Sequence, residues 1–100
     1  MASIKALDDK DKDALNVPYK FDLSGYLGAG QTISSIVSIT SNDGNLTVSN
    51  NSITDSSKSI TTHLSGGTAN QYSTVTARYT LSGSPVTTDE RSFRFYIREV

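Results

Sequence analysis

The stretch Gln71 to Leu81 reads QYSTVTARYTL, and its alternation decides the fold. Val75, Ala77, Tyr79 and Leu81 fall on one face, and Tyr72, Thr74, Thr76 and Arg78 fall on the other. A period of two over a run this long marks a strand with one buried face. Ser82-Gly83-Ser84-Pro85 then supplies a turn. A second alternating run follows, with Phe93, Phe95 and Ile97 opposite Ser92, Arg94, Tyr96 and Arg98. Two such runs joined by a Gly/Pro turn predict an antiparallel β-hairpin. The expected centre of the core is Phe93, Phe95, Tyr79, Val75 and Ile97, joined by Val37 and Ile39.

Upstream, the same period recurs in shorter pieces. Val17 to Leu23 places Tyr19, Phe21 and Leu23 on one face. Pro18 has no N–H to give, so this strand should lie at an edge or be irregular there. Ser24 to Gln31 carries Gly25, Gly28 and Gly30 and reads as a loop or a short turn of helix. Thr32 to Thr40 is a strand whose phase slips near Ser34-Ser35, the sign of a bulge or of burial on both faces. Ser41-Asn42-Asp43-Gly44 reads as a hairpin turn, since Asp-Gly tolerates positive φ. Asn45 to Ser49 and a piece around Ile53 read as two short strands parted by a turn at Asn50-Asn51. After a turn at Ser56-Ser57, Lys58 to Leu64 is a strand with Ile60 and Leu64 inward. About seven short strands with regular turn signals predict an all-β sandwich, residues 17–100. Residues 1–16 are polar and unpatterned and predict a flexible, extended N-terminal arm.

Composition agrees. The chain has 100 residues, the size of one domain. Its 16 Ser and 12 Thr suit turns and strands. The net charge of −1 gives no electrostatic reason to expect a nucleic acid or an anionic membrane as partner. There is no Cys, hence no disulfide and no Cys-based metal site. Met1 to Lys10 lacks an apolar core, so no export signal is expected. No apolar run approaches the length of a membrane span.

Chemistry is sparse. Asp9 to Asp13 opens like a calcium loop, but Ala14 stands at the sixth position and Lys20 at the twelfth, where Gly and Glu are needed. His63, the single His, should point away from Leu64 toward solvent and has no second metal ligand beside it in sequence. Asp89 and Glu90 are adjacent on a strand, so they face opposite ways and cannot work as a carboxylate pair. Glu90 or Asp89 can instead pair across the hairpin with Arg78. No nucleophile–base pair emerges, so no enzyme and no cofactor is expected. Arg94 and Arg98, with Tyr96 between them, form an outward stripe of the kind enriched at protein interfaces.

These residues resemble one family. Lys12-Asp13-Ala14-Leu15, Tyr19-Lys20-Phe21-Asp22-Leu23 and Gln31-Thr32-Ile33-Ser34-Ser35 are similar to the start of phage fiber-tail adaptors, small proteins of tailed-phage virions. Leu46-Thr47-Val48, Leu64-Ser65-Gly66-Gly67-Thr68-Ala69, Tyr72 to Thr76 and Asp89-Glu90-Arg91-Ser92-Phe93 continue the resemblance in order. The Asp22-Leu23 pair departs from it, standing where Asp-Trp is common. The resemblance implies an immunoglobulin-like sandwich and a non-enzymatic structural role in the virion. It implies a protein made in the host cytoplasm and present in multiple copies, with tail, fiber or capsid subunits as partners. An adaptor between tail and fiber is the expected function. The alternatives are a capsid decoration (cement) protein and a carbohydrate-binding module that uses Tyr26, Tyr72 and Tyr96. On this reading Ile4, Leu7 and Leu15 of the arm and Arg94, Tyr96 and Arg98 of the stripe are the partner-binding residues.

Overall fold

The computed structural model describes residues 3–6, 10–11, 13–83 and 85–98. The hairpin expected at the C-terminus is its centre. Strands β7 (Gln71–Leu81) and β8 (Thr87–Arg98) pair antiparallel in unbroken register from Gln71↔Ile97 to Leu81↔Thr87. β4 (Ile33–Ser41) joins the other side of β7. The second sheet has the order β3 (Val17–Asp22), β6 (Ser59–Gly66), β5 (Leu46–Thr54). Of the six sandwich strands, the first, third and fourth thus share one sheet and the second, fifth and sixth share the other. That is the immunoglobulin pattern of crossovers. A single turn of 3-10 helix, Ser24–Tyr26, follows β3.

The two sheets are held together by aromatic contacts between β3 and β8. Phe21 stacks on Phe93 with ring centroids 4.0 Å apart and planes 9° from parallel. Tyr19 meets Phe95 edge-on at 4.6 Å. Phe21, Leu23, Ile60, Leu64, Val75, Ala77, Tyr79, Phe95 and Ile97 have no solvent exposure. Thr62 lies on the same buried face of β6 as Ile60 and Leu64, and its hydroxyl donates to the Asn51 side chain. A satisfied hydroxyl can sit in a core without a desolvation cost.

Several local expectations need correction. Val37, expected in the core, is 53% exposed, and Ile39 is only half-buried. The register of β4 against β7 slips between Ile33 and Ser35 and again between Ile36 and Ser38. The second slip turns Val37 outward. Ser41 to Gly44 is not a hairpin turn, because β4 and β5 lie in different sheets. The segment is a crossover, and neither Asp43 nor Gly44 has positive φ. Asn50-Asn51 does not end a strand either. It is a bulge within the continuous β5, with Asn50 at φ 50° and the register shifting between Ser49 and Ser52.

Two described parts of the segment expected as a flexible arm lie along the outer edge of β8. β1 (Ser3–Ala6) pairs parallel with residues 91–94, and β2 (Lys10–Asp11) pairs parallel with Ile97 and Arg98. An apolar count does not register such a seat. An open sheet edge offers unpaired N–H and C=O groups, and an extended segment satisfies them and itself with its own backbone.

The Gly66-Gly67 pair, in the most distinctive stretch of the resemblance, has a plain physical cause. Gly66 has φ +79°, and a Cβ there would stand 2.5 Å from the Asn45 carbonyl oxygen. Gly67 has φ +119°, and its Cβ would press on Ile97 at 3.0 Å. The β6–β7 crossover therefore passes close to β5 and β8 only because both side chains are absent. Gly66→Ala should cost about 1–3 kcal/mol from its backbone conformation alone. The steric contact adds to that, and urea denaturation will measure the sum.

Candidate partner-binding surface

Two polar clusters grow from this end of the sandwich. The first is centred on Asp43, which the β4–β5 crossover buries. Its Oδ1 accepts from the Asn45 N–H at 2.9 Å and the Thr68 hydroxyl at 2.9 Å. Its Oδ2 accepts from the Thr68 N–H and the Ser73 hydroxyl, each at 2.8 Å. Burial works to raise the Asp43 pKa, but these four hydrogen bonds to the anion outweigh it and hold the carboxyl below its ordinary value. One carboxylate thereby ties both crossovers to the start of β7.

The second cluster holds the arm. Lys10 is 1% exposed. Its ammonium donates to the carbonyl of Gly66 at 2.7 Å and to that of Ala14 at 2.8 Å. The Gly66 N–H donates in turn to the Ala14 carbonyl at 3.2 Å. The same Gly-Gly turn that lets the crossover approach β5 thus presents a carbonyl to the arm.

The outward stripe is assembled around Tyr72. The hairpin register sets Tyr72 opposite Tyr96 and Thr74 opposite Arg94. The Arg94 guanidinium lies 4.4 Å from the centre of the Tyr72 ring, and Tyr96 meets that ring edge-on at 5.1 Å. Arg94 and Tyr72 are exposed and Tyr96 is half-buried. Cation–π and edge contacts of this kind pre-order large side chains and so lower the entropy lost on binding a partner.

Of the expected partner-binding residues, Ile4 stands in β1, and Arg94, Tyr96 and Arg98 stand in β8. Ile4 stands in β1 at the register of Ser92. Arg98 stands at the register of Asp11. Leu15, 70% exposed, lies in the connection between β2 and β3. Leu7 lies outside the described residues. The arm and the Arg/Tyr stripe are far apart in sequence, yet both border β8. Tyr72 belongs with the stripe, and the signal for it was the cross-strand register rather than any spacing within β8.

Four charged groups of the hairpin pair locally. Arg78, which is exposed, and Glu90, which is half-buried, pair across the hairpin at 3.9 Å. Asp89 and Arg91 share the opposite face from Glu90 and form an ion pair at 3.0 Å. The Arg91 guanidinium lies 4.6 Å from the centre of the Tyr26 ring, a contact that the sequence did not suggest. His63 Nδ1 lies 3.1 Å from the Asn50 carbonyl in the β5 bulge. Among the described residues no three His, Asp or Glu side chains converge as a metal site, and no helix is long and apolar enough to cross a membrane.

The family model described as podophage GP4 fiber-tail adaptor protein gp77 matches residues 10–96. The match begins at the buried Lys10 and reaches all six sandwich strands, ending two residues before the end of β8. No curated protein matches the chain. Because the family model covers most of the sequence, from the arm's buried lysine to Tyr96 near the end of β8, the chain belongs to the podophage fiber-tail adaptor family.

Proposed function

We propose that this protein is a non-enzymatic adaptor of the phage virion that joins tail to fiber through protein–protein contacts and acts in several copies. The observation that carries the reading is the family match over residues 10–96. The β8 edge supports it, since the arm and the ordered Tyr72–Arg94–Tyr96 group lie side by side there. Ile4, Leu7, Leu15, Arg94, Tyr96 and Arg98 are the contact residues on this reading. Extended arms and exposed strand edges are a common means of joining subunits.

Localisation of the chain in purified particles by cryo-EM tests the role. Density at the junction of tail and fiber is the expected result, and density spread over the capsid shell would overturn it. Deleting residues 1–9 tests the arm. This truncation removes Ile4 and Leu7 but keeps Lys10 and Ala14, and so keeps the contact with Gly66. The truncated protein should remain folded, by circular dichroism, yet be lost from particles. Normal occupancy in particles would show that the arm is a passive tail.

A further inference from the structure

The sandwich blunts its strand edges unequally. β3 carries Pro18, which cannot donate to an added strand. β4 is broken by two register shifts and β5 by one. Bulges of this kind discourage pairing between molecules. β8 has no such device, for its register against β7 is continuous from Thr87 to Ile97. Its outer edge instead receives the chain's own arm, in parallel, at residues 91–94 and 97–98.

We propose that this edge is an interface between copies, in which the arm of one molecule seats on β8 of the next. The inference rests on the multi-copy reading above. The occupant is fixed by what the edge already accepts. A second copy offers the same strand, in the same register, with the same Lys10. The place where the chain would open is also specified. Lys10, Ala14 and Gly66 form one cluster, so Ala14 must travel with the arm if that cluster is to survive exchange. The hinge is then Leu15-Asn16, just before β3. Leu15 is exposed, and Asn16 holds φ 52°, a left-handed conformation that an extended hinge would release. Exchange keeps every contact of the seated arm and changes only the hinge. Protein concentration therefore decides between the closed and exchanged forms.

The chain has no cysteine, so introduced thiols report without interference. Ala6 and Arg94 are register partners. Isotopically light Ala6→Cys protein and heavy Arg94→Cys protein should be mixed, unfolded, refolded together at high concentration and oxidised. Mass spectrometry should find light–heavy dimers linked through positions 6 and 94, several-fold above a control mixture of Ala6→Cys with Lys58→Cys. The double variant Ala6→Cys/Arg94→Cys, refolded dilute, should link within one chain. A mixture that gives no excess over the control would overturn the proposal, whether or not the double variant links internally. Deleting Leu15 and Asn16 is the second test, because a shortened connection cannot fold back. That variant should be a dimer at every concentration by size-exclusion chromatography with light scattering, and a folded monomer would overturn the exchange. Both tests use purified protein, so failure here is distinct from failure of the adaptor role, which is read in particles.

Discussion

Phe95→Ala is expected to lose about 3–5 kcal/mol, the usual cost of emptying a fully buried phenylalanine site. Phe95 has no exposure and contacts rings on the opposite sheet, Tyr19 at 4.6 Å and Phe21 at 6.2 Å. The truncation therefore removes packing between the sheets and not only within one. Collapse around the void is restricted, since both ring partners are anchored on β3 by its pairing with β6. A domain of this size has about 5–15 kcal/mol of stability in total. The loss will thus appear as a large fall in the urea midpoint, or as failure to fold. An unchanged midpoint would mean that the inner and outer faces of β8 are exchanged.

Asp43→Ala is expected to cost about 3 kcal/mol or more. Each hydrogen bond to a buried anion contributes about 1.5–3 kcal/mol, and the hydroxyls of Thr68 and Ser73 recover part of the loss by turning to other acceptors. The Thr68 N–H is fixed and cannot turn. The same carboxylate sets a pH dependence. Its pKa is lowered in the folded protein, so the unfolded chain binds the proton more readily. The contribution is complete above the ordinary carboxylate pKa of about 4 and fades as pH falls through the lower folded value. Exposed Asp55, lowered by its hydrogen bond from Lys20, shifts in the same direction, so wild type alone does not isolate Asp43. Comparison with Asp43→Asn does. Between neutral pH and pH 3, wild type should lose more stability than Asp43→Asn, as measured by urea denaturation. Equal slopes would show that the crossovers do not depend on the charge.

Asp43 also marks where the sequence ceased to be legible. In isolation Asp43-Gly44 looks like a turn formed for its own local reasons. Its conformation is in fact set by Thr68 and Ser73, more than twenty residues away, whose donors draw the carboxylate inward. Asn50-Asn51 misleads in the same way. Two asparagines favour a turn, but β6 continues opposite them and converts the turn into a bulge. Val37 follows the alternation of its strand on paper, and the slips of register against β7 decide otherwise.

The sequence by itself determined the inward faces of β3, β6, β7 and β8, because side-chain alternation is a property of the extended backbone and needs no partner. Through those faces it determined most of the core and the all-β class, while the resemblance to fiber-tail adaptors rests on particular segments such as Leu64 to Ala69. Tertiary structure decided which strands share a sheet, since pairing partners such as Phe21 and Ile60 are remote in the chain and any alternating strand can pair with several others. It also decided that the arm seats on β8 and that Lys10 is buried. A lysine in a run of charges looks solvated, and only the Gly66 carbonyl, brought up by a turn that tolerates no side chain, gives its ammonium a place inside.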